Sequence, residues 1–153
     1  MEKQKTRDLI DDKYKWDLTT IYKTDQDWYK DYKLLDKEIT KIESFKGHIL
    51  DSDETLLEYL KESDNLERKL YKLYYYAHLK YDQDTTNAKY QEMEGKITLL
   101  LNKYGELTSY VYPEFMQKDF DYVKILIDKN NLLKEYEHNS IAYIVFFLNL
   151  RLL

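Results

Sequence analysis

Only three glycines and one proline stand in 153 residues. Glycine and proline punctuate chains, so this shortage leaves few places to turn and calls for few, long elements. Charged residues make up 35% of the chain and recur in almost every stretch. Long elements that carry so much charge are helices, where one face stays in water and the other packs. Strand-like alternation nowhere persists beyond a few residues, and no repeat of fixed period stands out. The expected fold class is all-α: an antiparallel helical bundle or helical-hairpin array with long helices and short connections.

Hydrophobic residues at 43% are enough for one domain with a real core. A net charge of −5, with lysines interspersed among acids, argues against nucleic acid, whose phosphates need a basic face. The absence of cysteine excludes disulfides, thiolate zinc sites and thiol nucleophiles. The opening MEKQKTRDLIDDKYKW has no apolar run of the secretory kind, so a cytoplasmic location is expected.

Three regions are expected. Residues 1–24 read as an irregular arm anchored by Trp16, Leu18, Ile21 and Tyr22. Residues 25–138 read as a helical domain. A first helix starts near Asp25, with Trp28, Tyr32, Leu35, Ile39 and Ile42 on one face and Gly47 at its C-terminal cap. Asp51, Ser52 and Asp53 offer caps for a short helix to about Glu62, and Ser63 or Asp64 for the next, striped by Leu66, Leu70, Leu73 and Ala77. YDQDTTN reads as a turn capped by Asp84 or Thr85. It leads into a helix from about Thr86 to Tyr112, roughly 40 Å long at 1.5 Å per residue. Gly95 and Gly105 inside it are expected to admit a neighbouring helix. Pro113 ends it or starts the next segment. Asp119 caps FDYVKILIDK, and Asn130 or Asn131 starts a last helix.

Residues 139–153 are a divergent apolar tail. From Asn139 to Leu150 no charge occurs. As a helix these twelve residues span about 18 Å against ~30 Å of hydrocarbon, too short for an anchor unless Arg151 snorkels. Membrane contact is therefore disfavoured. The tail is apolar on every face, which suits self-association, a buried interface or the debris of a broken reading frame.

Candidate chemistry is sparse. Seventeen tyrosines, with YKLYYYAHLKY at 71–81, form either an aromatic wall for a peptide or a mixture of core and rim residues. His48, His78 and His138 belong to no HExxH pair. Glu135 and His138 make one Glu-x-x-His, whereas a carboxylate di-metal bundle needs two. Two segments begin like calcium loops. The one from Asp82 has Asn87 where glycine is needed and Met93 where the last glutamate is needed. The one from Asp51 reaches Glu62 but has Leu56 in the glycine place. Both read better as helix caps. No glycine-rich phosphate loop or nucleophile elbow is present. No catalytic, cofactor-binding or metal residue is assigned.

Three segments together resemble the N-terminal region of oligoendopeptidase F, a zinc metallopeptidase family. YKWDLTTIYKTDQDWYKDY at 14–32 resembles the family's opening. LYKLYYYAHLKYDQDTTNAKYQ at 70–91 resembles its helix-turn-helix, and LTSYVYPEFM at 107–116 its Ser-aromatic-x-x-Pro-Glu segment. Order and spacing agree over about residues 9–138, and the likeness ends after KEYEH. The resemblance implies a helical part of a peptide channel wall in an enzyme that cuts short peptides. It places the zinc, on an HExxH helix and a later glutamate, outside this chain. It also implies a chain inactive alone, truncated or frameshifted before the catalytic domain. A stand-alone helical interaction module or homo-oligomer is the alternative.

Overall fold

The computed structural model describes residues 9–136. Among these residues the regular elements are all helical. Five α-helices follow one another: α1 (Asp25–Glu38), α2 (Asp53–Gln83), α3 (Ala88–Leu107), α4 (Val111–Met116) and α5 (Phe120–Lys129). Short 3-10 turns lie at Asp12–Tyr14, Leu18–Thr20, Ile39–Phe45 and Leu133–Tyr136. The all-α expectation is met. The tail at 139–153 and His138 lie outside the described residues.

The chain divides into two compact units. One joins the chain up to Lys37 with Arg68–Asn102. It contains α1, the later part of α2 and most of α3. Trp28 and Leu35 of α1 are buried, as are Leu70, Leu73, Tyr76 and Ala77 of α2 and Met93, Ile97 and Leu100 of α3. Thr24 caps α1: its hydroxyl accepts the Asp27 backbone N–H at 3.2 Å, and the Asp27 carboxylate accepts the Thr24 N–H at 3.1 Å. This reciprocal pair satisfies donors that a helix start leaves orphaned. Leu18 and Tyr22 of the arm are buried, but Trp16 is 58% exposed. Trp16 is held instead through its carbonyl, which accepts from Gln83 Nε2 at 3.3 Å. The expected Trp16 anchor is thus a backbone contact.

The other unit joins Glu38–Glu67 with the chain from Lys103 onward. Ile39 and Ile42 continue the buried stripe of α1, but the backbone tightens there into the 3-10 turn. Gly47 follows with φ +85°, in the left-handed region where a Cβ is disfavoured. Ser52 caps α2: its Oγ accepts the Thr55 N–H at 3.2 Å and its carbonyl the Leu56 N–H. Leu56, Leu57, Tyr59 and Leu66 of α2 are buried, together with Tyr104, Val123, Leu126, Ile127 and Leu133.

Several expectations of detail fail, each for a physical reason. The break at Ser63–Asp64 is absent, because α2 runs through it. Ser63 Oγ donates to Glu67 Oε1 at 3.1 Å one turn on, and lies 3.0 Å from Tyr104 Oη. A serine so engaged no longer competes with the helix backbone. The third helix begins at Ala88 with Asn87 as its cap: the Asn87 carbonyl accepts from Tyr90 and Gln91, and its Oδ1 from the Lys89 N–H. It stops at Leu107, and Pro113 falls in the first turn of the separate α4, where its missing N–H costs nothing. Among the described residues Gly95 and Gly105 admit no neighbour, since a Cβ on either meets nothing there within 4 Å. Asn130 is the C-cap of α5, and its Oδ1 and carbonyl accept the Leu132 and Leu133 N–H ahead of the 3-10 turn; the remainder of the last helix expected from Asn130 or Asn131 lies outside the described residues. Asp119 takes the extended cap conformation before α5 without a side-chain cap bond.

Candidate functional site

In the first unit, helical periodicity splits YKLYYYAHLKY between core and surface. Leu73, Tyr76 and Ala77 turn inward, while Tyr71 and Tyr75 are 51% and 54% exposed. The outward rings form a ladder. Tyr71 stacks on Tyr75 at 6.2 Å, Tyr75 meets Tyr74 edge-on at 5.6 Å, and Tyr74 stacks on the His78 imidazole at 5.2 Å and 14°. The run is thus a mixture of buried and rim residues, as one of the two sequence readings has it. Tyr76, on the inner side, donates its hydroxyl to Asp25 Oδ1 at 2.7 Å. Burial first, and then the Asp25 carboxylate, push that phenol well above its ordinary value.

His78 sits at the end of the ladder, where α2 faces α3. Its Nδ1 is 3.0 Å from Glu94 Oε1, and its Nε2 is 3.7 Å from Asp82 Oδ2. Glu94 Oε2 is buried and has no hydrogen-bond partner among the described residues. Asp25, at the start of α1, gathers Tyr76, Lys80 at 3.9 Å and Lys89. Burial alone would raise its carboxyl, but the hydrogen bonds from Lys89 and Tyr76 and the lysine charges hold it below the ordinary value.

The other sequence candidates are not brought together. His48 Nδ1 pairs with Asp51 Oδ2 at 2.8 Å on an exposed loop. Glu135 lies in the last 3-10 turn. In the segment from Asp82, Asp84 Oδ1 accepts from the Thr86 N–H and hydroxyl at 3.1 and 2.7 Å, bonds that also lower its pKa. Met93 is fully buried. In the segment from Asp51, Leu56 is core. These geometries are helix caps and turns. Among the described residues no group of three or more His, Cys, Asp or Glu side chains is arranged to hold a metal ion.

The second unit carries a groove that sequence reasoning missed. It lies between the loop at 46–51 and the region of α4, has a volume of about 570 Å³, and is lined by Lys46, Leu50, Ser109, Pro113, Gln117 and Lys118 among others. Two side chains of SYVYPE shape it. Tyr110 donates its hydroxyl to the Ile42 carbonyl, and Glu114 accepts the Gly47 N–H. Burial, then Tyr59 and the Glu114 and Glu43 carboxylates, push the Tyr110 phenol upward. The one signal in the sequence was the co-occurrence of Gly47 with a Tyr-x-x-Pro-Glu run, which reveals no pairing by itself.

No family model matches the chain. Individual relatives do. Group B oligopeptidase PepB of Streptococcus agalactiae is 43% identical over 133 residues, 86% of this chain and 22% of the relative. The chromosomal oligoendopeptidase F of Lactococcus lactis subsp. cremoris is 43% identical over 138 residues, 88% of this chain and 23% of the relative. The crystal structure of oligoendopeptidase-F from Enterococcus faecium superposes with a TM-score of 0.73 at 28% identity, covering 79% of this chain and 24% of that one. The chain spans about a fifth of the length of the curated relatives it matches. By sequence along most of its length, and by fold, the chain belongs to the oligoendopeptidase F family and corresponds to its N-terminal helical portion.

Proposed function

We propose that the chain forms part of the wall of a peptide-holding channel in an oligoendopeptidase F-like zinc metallopeptidase, and that it does not cleave peptides alone. The observation that carries this reading is the 39–43% identity, over 86–88% of the chain, to proteins called oligopeptidase or oligoendopeptidase. Substrates on this reading are short peptides, and the compartment is the cytoplasm. No helix among the described residues is long and apolar enough to cross a membrane. Residues 1–24, 25–138 and 139–153 act as arm, wall and self-association tail.

The residues present do not fit the hydrolytic zinc of the family. There is no HExxH in the sequence and no three-ligand cluster among the described residues. The chain's contribution on this reading is shape: the exposed Tyr71 and Tyr75 rings offer rigid apolar area with polar tips, suited to lying against a peptide.

Fragment complementation tests the reading. A Streptococcus agalactiae PepB lacking its matched fifth is mixed with this chain and assayed on a peptide. Recovery of cleavage that neither part shows alone supports the proposal. Cleavage by this chain alone, abolished by a chelator, overturns it.

A further inference from the structure

We propose that His78 and Asp82 form a two-ligand site for a transition-metal dication such as Zn²⁺ or Ni²⁺, with Glu94 as the residue that positions the imidazole.

The two nitrogens of the His78 imidazole face two different carboxylates. An ionised carboxylate can only accept a hydrogen bond, so the 3.0 Å contact of Nδ1 with Glu94 Oε1 puts a proton on Nδ1. In the neutral ring Nε2 is then a bare lone pair, and it faces Asp82 Oδ2 at 3.7 Å. A proton on Nε2 would make this contact an ion pair, and a metal ion between the two atoms would use the same two lone pairs. The separation is too long for a hydrogen bond, yet it is close to what a metal ion needs. Donors each ~2.1 Å from a tetrahedral ion stand about 3.4 Å apart, a few tenths of an ångström less than this pair.

The surroundings favour this use. His78 and Asp82 are one helical turn apart on α2, so their side chains share a face. Their side chains are 40% and 43% exposed, which leaves room for water to complete the coordination. Tyr74 stacks on the imidazole and fixes its plane. Glu94 has the place of the carboxylate that usually backs a metal-bound histidine. Its Oε2 is buried without a hydrogen-bond partner among the described residues, so its charge gains from any cation that the imidazole carries or binds. Imidazole with carboxylate suits borderline dications rather than calcium or magnesium. Two protein ligands make a modest site, and hydrolysis is no part of the proposal.

The test titrates Zn²⁺ alone into the ¹⁵N-labelled 153-residue chain and follows the histidine side-chain nitrogens by NMR, with circular dichroism as the fold control. The expected result is saturable binding of one ion, with the His78 Nε2 resonance moving to its metal-bound position while Nδ1–H persists. H78A abolishes it, D82A weakens it by about tenfold or more, and E94Q weakens it by about 10–100-fold with Nε2 still the ligand. Two results overturn the proposal. One is binding unchanged in H78A, which means an adventitious ion only, at His48 or His138. The other is a His78 that keeps protons on both nitrogens at saturating Zn²⁺, which means an imidazolium held between two carboxylates.

Discussion

The indole N–H of Trp28 donates to the backbone carbonyl of Leu73 at 2.8 Å, across 45 positions of sequence. Trp28 is fully buried, stacked on Tyr32 at 5.3 Å and edge-on to Tyr29 at 5.1 Å. The bond gives α1 a fixed register on α2, because a buried indole N–H without an acceptor is costly. W28F keeps an aromatic ring but loses the donor and some volume. It should destabilise the chain by about 1–3 kcal/mol, and W28A by about 3–5 kcal/mol, measured by urea unfolding.

The three glycines should respond in opposite directions. Gly47 has φ +85°, so G47A forces a Cβ into the left-handed region and should cost about 1 kcal/mol or more. Gly95 and Gly105 lie in α3 with open space where a Cβ would go. G95A and G105A should each stabilise by roughly 0.5–1 kcal/mol, since alanine loses less entropy in a helix. Urea midpoints of the three variants decide it.

Glu114 and Tyr110 should act on the loop at 46–51 rather than on the core. E114A leaves the Gly47 N–H without its acceptor and should cost about 1–2 kcal/mol. Exchange of the Gly47 amide hydrogen should accelerate more than that of core amides in α2. Y110F, which removes the donor to Ile42, should give a smaller loss of about 1 kcal/mol.

Stability should fall at both ends of the pH scale. Tyr22, Tyr76, Tyr104 and Tyr110 are raised above an ordinary value of 10.0, chiefly by burial, and Tyr59 is pushed up to about 12. A raised phenol contributes stability that is whole below pH 10 and is lost as pH climbs through the folded value. Asp25 is the opposite case. Its carboxyl lies below 3.8 in the fold, so its contribution is present above that pH and lost as pH falls through the lowered value. D25N should flatten the acid side of the stability–pH curve, and Y76F the alkaline side, in urea midpoints taken from pH 2 to 12.

How much was legible from sequence follows from what each signal depends on. The α1 stripe, the Ser52 cap, the Gly47 cap and the Asp84 turn rest on local chemistry, and all were readable. The Ser63–Asp64 break was misread because Ser63 is satisfied by Tyr104, a partner 41 positions away that no local pattern reveals. Gly95 and Gly105 were misread because a helical glycine says nothing of which face it occupies. The groove was hidden for the same reason, since Gly47 and Glu114 meet across 67 positions. The tyrosine run was ambiguous as a string, and only the helical turn separates buried Tyr76 from exposed Tyr75.

The central claim is that this helical portion shapes the peptide space of a larger peptidase. The most direct measurement replaces the matched fifth of Streptococcus agalactiae PepB with residues 9–138 of this chain and profiles cleavage across peptides of increasing length. The account predicts a folded chimera that cleaves peptides, with a length preference altered from the parent's and altered again by Y71A and Y75A. A folded chimera whose length profile matches the parent's, and is indifferent to those substitutions, would contradict it.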